Sequence, residues 1–329
     1  MNIPIIDISP LIQNTPEKFQ VAEKIGQACR ENGFFYIIGH QVDLELQQKL
    51  EKLSKSFFSL SLDQKMKIKM SNGGLAWRGY FPCGDELTSG RPDMKEGIYF
   101  GEELDQGNEL VKIKTPLHGP NLFPDDEIPE FRNVVLEYMK SIKELGHKIL
   151  EGIALSLNLD ESYFYNRYTK IPLQLFRIFN YPKVELNTEE ELWGVGEHTD
   201  YGLLTILKQD NSGGLQVKCK TEWIEAPPID NSFVCNIGDM LDRMTGGLYR
   251  STPHRVKCQF KNDRLSYPFF FDPNFFAQVK KIENIELREE DRNERWDKSS
   301  VHEFCGTYGD YLIKKVSKVF PELKEQVLS

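Results

Sequence analysis

Little in this sequence points to a membrane, a nucleic acid or an oxidising compartment. No apolar run approaches the roughly 18 residues that a membrane-spanning helix requires. The start, Met1-Asn-Ile-Pro-Ile-Ile-Asp7, has neither the basic residues nor the apolar core of a secretory leader. Basic residues are in deficit, 41 against 50 acidic, for a formal charge of −9, so the phosphate-directed attraction of a nucleic-acid binder is missing. The six cysteines (29, 83, 219, 235, 258 and 305) make no Cys-x-x-Cys pair and no disulfide framework. Internal repeats and low-complexity tracts are absent too. These absences make the cytoplasm the expected compartment and leave no nucleic acid or membrane to bind; a monomer with a small-molecule partner is expected.

What is present is an ordinary globular composition. With 40% hydrophobic and 12% aromatic residues over a length of 329, the chain can bury one large core or two modest ones, and a single catalytic unit over 1–329 is expected. Residues 3–8 read as an edge strand, 15–30 as a helix stopped near Gly33, and 34–38 as a buried strand. Apolar residues at helical spacing fill 43–60, Ser61 can cap a short second helix, and 129–157 carries the longest helical stripe. Between 71 and 97 Gly, Pro and charge break the pattern, which predicts a long loop, either functional or a solvated connection. From Ile171 the rhythm changes. Short strands at 173–181, 202–207, 215–218, 222–225, 233–236, 254–258 and 266–271, punctuated by turn residues, predict a sandwich or jelly roll. A helix over 301–320, broken at Pro321, closes the chain. The fold class expected is therefore α+β, with a strand core over 171–275, an N-terminal region of helices and strands over 1–125, and a C-terminal helix.

The chemistry gathers around His198-Thr-Asp200, at the head of an apolar run. In an extended strand alternate side chains share a face, so His198 and Asp200 would project together. His254, in Ser251-Thr-Pro-His254, supplies a second imidazole. Two imidazoles and a carboxylate are the donor set of the facial triad that holds non-haem Fe(II) and leaves positions open. Arg264 and Ser266 again share a strand face, and a guanidinium can bind a carboxylate through two parallel hydrogen bonds. The stretch from His254 to Arg264 has room for a strand, a turn at Asn262-Asp263 and a return strand beside the first, which would make metal and anion sites neighbours. His40, His118, His147 and His302 read as structural or surface residues.

In this order, His198-x-Asp200, His254 and Arg264-x-Ser266 resemble the 2-oxoglutarate and Fe(II)-dependent dioxygenases. The resemblance covers nearly the whole chain. Ile3-Pro-Ile-Ile-Asp7, Cys29-Arg-Glu-Asn-Gly-Phe-Phe-Tyr-Ile-Ile-Gly-His40, Trp77-Arg-Gly-Tyr80 and Lys95-Glu96 are similar to the N-terminal region of the isopenicillin N synthase-like, plant-type branch. That resemblance implies a distorted double-stranded β-helix, a form of jelly roll, with His198, Asp200 and His254 as iron ligands. It implies that Arg264, Ser266 and Tyr181 hold the distal carboxylate of 2-oxoglutarate, although Phe179 and Asn180 depart from the commoner Asn-Tyr before that tyrosine. The implied reaction uses O2 to decarboxylate 2-oxoglutarate to succinate while oxidising a C–H bond of a small molecule, with ascorbate as a reductant. Hydroxylation ranks first among outcomes, ahead of desaturation or oxidative cyclisation.

Candidate walls for the substrate pocket are Arg78, Tyr80 and Lys95 in the long loop, with Leu204, Phe269 and Phe271 on core strands. Three other readings stay open: an iron oxidase of the same family that takes no 2-oxoglutarate, a zinc hydrolase with Glu197 as base on a metal-bound water, and a barrel that binds a ligand without catalysis.

Overall fold

The computed structural model describes residues 2–320 apart from 89–90, 184–192, 220–221, 259–261, 287, 289–294, 296–297 and 299. Its helices are α1 Ser9–Ile12, α2 Lys18–Glu31, α3 Leu44–Phe58, α4 Leu62–Met66, α5 Glu109–Lys112, α6 Phe131–Ser156, α7 Asp239–Met244 and α8 Tyr308–Val319. The strands are β1 Ile5–Asp7, β2 Phe34–Ile38, β3 Gly79–Phe81, β4 Leu87–Thr88, β5 Arg91–Pro92, β6 Glu96–Gly101 and β7 Leu173–Tyr181. After them come β8 Trp193–His198, β9 Leu204–Gln209, β10 Leu215–Cys219, β11 Glu222–Glu225, β12 Phe233–Ile237, β13 His254–Lys257 and β14 Arg264–Asp272.

Among the described residues the strands build an eight-stranded sheet in the order β1-β2-β12-β9-β14-β7-β6-β3 and a four-stranded sheet in the order β11-β10-β13-β8. β2 enters the larger sheet by pairing antiparallel with β12, and β6 by pairing with β7. Residues from the first hundred thus complete the sheet that the later strands begin. The architecture is the α+β jelly roll expected.

The caps are local and physical. Asp43 accepts the Glu45 N–H at the start of α3, and Ser61 with Gln64 forms a capping box on α4, each satisfying N–H groups a helix start leaves open. The apolar stripe of α6 lies against the outer face of the larger sheet. There the Phe271 ring is so close to Gly146 that a Cβ at that glycine would stand 2.9 Å from it, and Tyr138 packs on Phe176 with ring centroids 5.3 Å apart. Burial of this kind is worth about 1.5–3 kcal/mol per large apolar side chain. No helix among the described residues is long and apolar enough to cross a membrane.

Three local expectations need correction. The strand ends at His198, and Asp200 sits in the turn through which the chain leaves the smaller sheet and enters β9 of the larger. β13 and β14 are not adjacent strands either: β13 pairs with β10 and β8, whereas β14 pairs with β7 and β9. The connection from His254 to Arg264 therefore crosses between sheets. Finally, the last helix begins at Tyr308, where Thr307 and Asp310 form a capping box, and not at 301; Pro321 lies outside the described residues.

Candidate metal centre and its pocket

His198 closes β8 and His254 opens β13, and the antiparallel register sets the two residues opposite each other. Their rings lie 4.2 Å apart between centroids. Nδ1 of His198 is 2.8 Å from the Gly196 carbonyl, and Nδ1 of His254 is 3.2 Å from that of Thr252. A carbonyl can only accept, so each Nδ1 carries the proton and each Nε2 keeps its lone pair. Asp200 is divided in the same way. Its Oδ2 accepts from Thr205 Oγ1 at 2.5 Å and from Asn236 Nδ2 at 2.7 Å, while Oδ1 faces His198 Nε2 at 3.9 Å and His254 Nε2 at 3.7 Å.

The electrostatics suit a cation. Burial, with His254 beside it, pushes His198 down to about 3, so the imidazole is neutral. Burial alone would raise the Asp200 carboxyl, but the two imidazoles and the bonds from Asn236 and Thr205 outweigh it and hold the group below its ordinary value. Two imidazole nitrogens and one carboxylate oxygen lie within 4.8 Å of one another. Donors about 2.0–2.2 Å from a shared ion stand no more than about 4.4 Å apart, so both His–Asp separations already suit one ion. The three residues fit a first-row divalent metal.

The pocket runs from this triad between the two sheets. At one end Arg264, fully buried, donates through Nε to the Gly213 carbonyl at 2.6 Å and through Nη2 towards Gln209 Oε1 at 3.5 Å. Its guanidinium lies 4.7 Å from the Tyr181 ring centroid. Ser266 lines the same wall two residues on. This end presents a fixed cation and a hydroxyl, suited to a carboxylate.

Family models match both parts of the chain: residues 3–126 match the non-haem dioxygenase in morphine synthesis N-terminal family, and residues 164–273 match the 2OG-Fe(II) oxygenase superfamily. The chain belongs to the 2OG-Fe(II) oxygenase superfamily. It is 51% identical to a probable iron/ascorbate oxidoreductase of Dictyostelium discoideum, covering 99% of this chain and 97% of that one. It is also 43% identical to the 1-aminocyclopropane-1-carboxylate oxidase of the same organism, over 97% and 95%, and 37% identical to a homoarginine hydroxylase of Arabidopsis thaliana, over 98% and 90%. The solved structure of a full-length Neurospora crassa protein in complex with alpha-KG superposes with a TM-score of 0.79 at 27% identity, covering 96% of each chain.

In this oxygenase the far end of the pocket differs from the sequence-based expectation. Lys95 does line it, held by Asp93 at 2.6 Å and Glu86 at 3.0 Å. The other five proposed walls lie elsewhere. Arg78 is buried beside a small adjoining cavity, donating to the carbonyls of Glu102, Leu117 and Gly119. Tyr80 donates to Glu96, which also pairs with Lys65. Leu204, Phe269 and Phe271 sit on the opposite faces of β9 and β14 from Thr205, Phe270 and Asp272, which do face the pocket. Glu197, the base a hydrolase would need, is paired with Lys218 at 2.7 Å and does not line the pocket.

Residues missed from sequence are Glu86, Arg177, Thr205, Asn236, Phe270 and Asp272, with Leu312, Val316, Val319 and Phe320 from the C-terminal segment. One signal was available: the same alternation that pairs Arg264 with Ser266 continues through Pro268 to Phe270 and Asp272. For Asn236 and the C-terminal wall no local pattern exists.

Proposed function

We propose that His198, Asp200 and His254 hold Fe(II) and that Arg264, Ser266 and Tyr181 hold the distal carboxylate of 2-oxoglutarate. The enzyme is a non-haem Fe(II) and 2-oxoglutarate-dependent oxidoreductase; when bound, the metal with its cosubstrate and O2 supplies the oxidising power. The observation that carries the assignment is the pair of Nδ1-to-carbonyl contacts, which fixes both Nε2 lone pairs on the side where Asp200 leaves one oxygen unbonded to protein.

Each protein group has a defined task. The carbonyls of Gly196 and Thr252 hold the imidazoles in one tautomer. Thr205 and Asn236 orient the carboxylate, and Arg264 fixes the diacid from its far end. The apolar side chains of α8 keep water from the substrate C–H bond. Hydroxylation of a small molecule is the outcome proposed, a reading that the likeness to a homoarginine hydroxylase supports, with a monomer as the acting form. Six unpaired cysteines, four of them buried, support a reducing compartment such as the cytoplasm.

Anaerobic addition of Fe(II) and 2-oxoglutarate should produce a visible charge-transfer band, and admission of oxygen should release succinate. His198→Ala and Asp200→Ala should each abolish both. Iron-dependent oxygen uptake without the 2-oxoglutarate band would support the iron oxidase instead. Near-normal turnover in both variants would move the centre elsewhere.

A further inference from the structure

Among the described charged groups lining the pocket that neither the metal nor the cosubstrate employs, two keep a buried polar atom with neither a hydrogen-bond nor an ion-pair partner and point to a ligand. The first is Arg177 on β7. Its guanidinium lies between two rings, 4.1 Å from the Tyr99 centroid and 4.8 Å from that of Phe270. One nitrogen is 3.6 Å from Glu86, and Nε is buried without a hydrogen-bond partner. Glu86 also serves Lys95 at 3.0 Å and the Tyr99 hydroxyl at 2.8 Å, so Arg177 retains donors for a ligand. The second is Asp272, at the end of β14 and 2% exposed. Its Oδ2 accepts from the Tyr308 hydroxyl, while Oδ1 has no hydrogen-bond partner. Among the described residues no basic side chain forms an ion pair with it. Burial, with the Asp200 carboxylate adding to it, pushes its carboxyl up to about 7 against the opposing pull of the Tyr308 hydroxyl and the Arg177 guanidinium. A Cβ on Gly202 would come within 1.5 Å of that oxygen, so glycine at this turn leaves the carboxylate its place.

Charge bookkeeping makes the pair informative. Lys95 and Arg177 are matched by Glu86 and Asp93, and a ferrous ion, Asp200, the 2-oxoglutarate dianion and Arg264 also sum to zero. Asp272 alone is left uncompensated. A buried carboxylate without a counter-charge is costly, and a cation arriving with the substrate would relieve it.

The register adds a spacing. Phe270 pairs with Leu175, and Arg177 is the next pocket-facing residue along β7 towards Tyr181. Arg177 thus stands about four residues, or roughly 13 Å of strand, from the level of Asp272 before the side chains lean together. Thr205, which holds Asp200, pairs with Phe270 between these levels. We propose that the substrate is a small basic amino acid, or a close analogue, whose carboxylate is read by Arg177 and whose side-chain ammonium or guanidinium is read by Asp272. The carbons exposed to oxidation then belong to the aliphatic chain between the charged ends, lying along Phe270 and beneath Leu312 and Val316. This inference rests on the oxygenase reading above and adds two specificity-determining residues to it.

The test uses the full-length enzyme loaded with Fe(II) and 2-oxoglutarate and a panel of L-lysine, L-ornithine, L-arginine, L-norleucine and L-lysinamide, read as succinate released above the substrate-free rate. At least one basic amino acid should stimulate release. Norleucine, which lacks the terminal cation, and lysinamide, which lacks the carboxylate, should have kcat/KM at least tenfold below lysine. Arg177→Gln should erase the preference for lysine over lysinamide, and Asp272→Asn the preference for lysine over norleucine. The ratio within each variant is the readout, so a general loss of activity does not mimic the effect. If a variant fails to fold, the wild-type panel still decides the charge requirement. Equal stimulation by the neutralised analogues, or none by any basic amino acid while the 2-oxoglutarate band forms normally, overturns this inference alone. Failure of the band itself would overturn the oxygenase assignment.

Discussion

Asp200 illustrates how much a single side chain depends on neighbours the sequence does not reveal. One oxygen is committed to Thr205 and Asn236, so the other is offered in a fixed direction. Asn236→Ala removes one of the two bonds that orient that carboxylate, and groups that orient a ligand typically contribute 10–100-fold to metal affinity. The apparent Fe(II) dissociation constant, measured by competition with a chelator, should rise by about that factor. At the other end of the pocket, Arg264→Ala should weaken 2-oxoglutarate by about 2–5 kcal/mol, the cost of truncating one side of a buried charge pair, read from an anaerobic titration of the coloured complex. Both His-x-Asp and Arg-x-Ser were legible because their members lie close in sequence. Asn236 comes from a strand 36 residues beyond its carboxylate, and Arg177 looks like any charged residue until the sheet forms.

Strand β14 shows the same limit for a whole element. It is buried on both sides, and its centre, Phe269-Phe270-Phe271, is an apolar run that does not by itself tell one face from the other; only the polar residues Arg264, Ser266 and Asp272 mark the pocket side. Phe269 and Phe271 were plausible pocket walls for that reason. The true division puts them under α6. Phe271→Ala should therefore cost about 3–5 kcal/mol of stability, measured by urea unfolding, while the dependence of succinate release on 2-oxoglutarate concentration stays unchanged. A parallel rise in the KM for 2-oxoglutarate would contradict the division of faces. The placement of β13 and β14 was equally hidden, because a short connection suits a hairpin and a crossover alike; only the pairing of each strand with other partners decides it.

For the molecule as a whole, composition and strand rhythm were enough to reach the architecture, whereas the pocket's far wall depends on long-range closure by the last described residues. One global property follows from a histidine far from the pocket. Burial, with Lys143 and Lys148 nearby, lowers His147 from its ordinary 6.5 to about 4, so the folded state keeps it neutral where the unfolded chain would take up a proton. The unfolded state binds more protons between these values, and stability falls as pH drops from about 6.5 towards about 4. His147→Gln should flatten that part of the profile when urea midpoints are compared between pH 7 and pH 4.5, and an unaltered difference between the two proteins across that range would refute the assignment.

The three residues proposed to hold the metal lie between 198 and 254, while one apolar wall of the cavity, Leu312, Val316, Val319 and Phe320, comes from the C-terminal segment. Oxidative power and the apolar part of chemical taste are thus written in separate stretches of the polypeptide. Exchanging only the tail should change how well the aliphatic part of the substrate is packed, while the reading of its charged ends and the engine that consumes oxygen stay as they were.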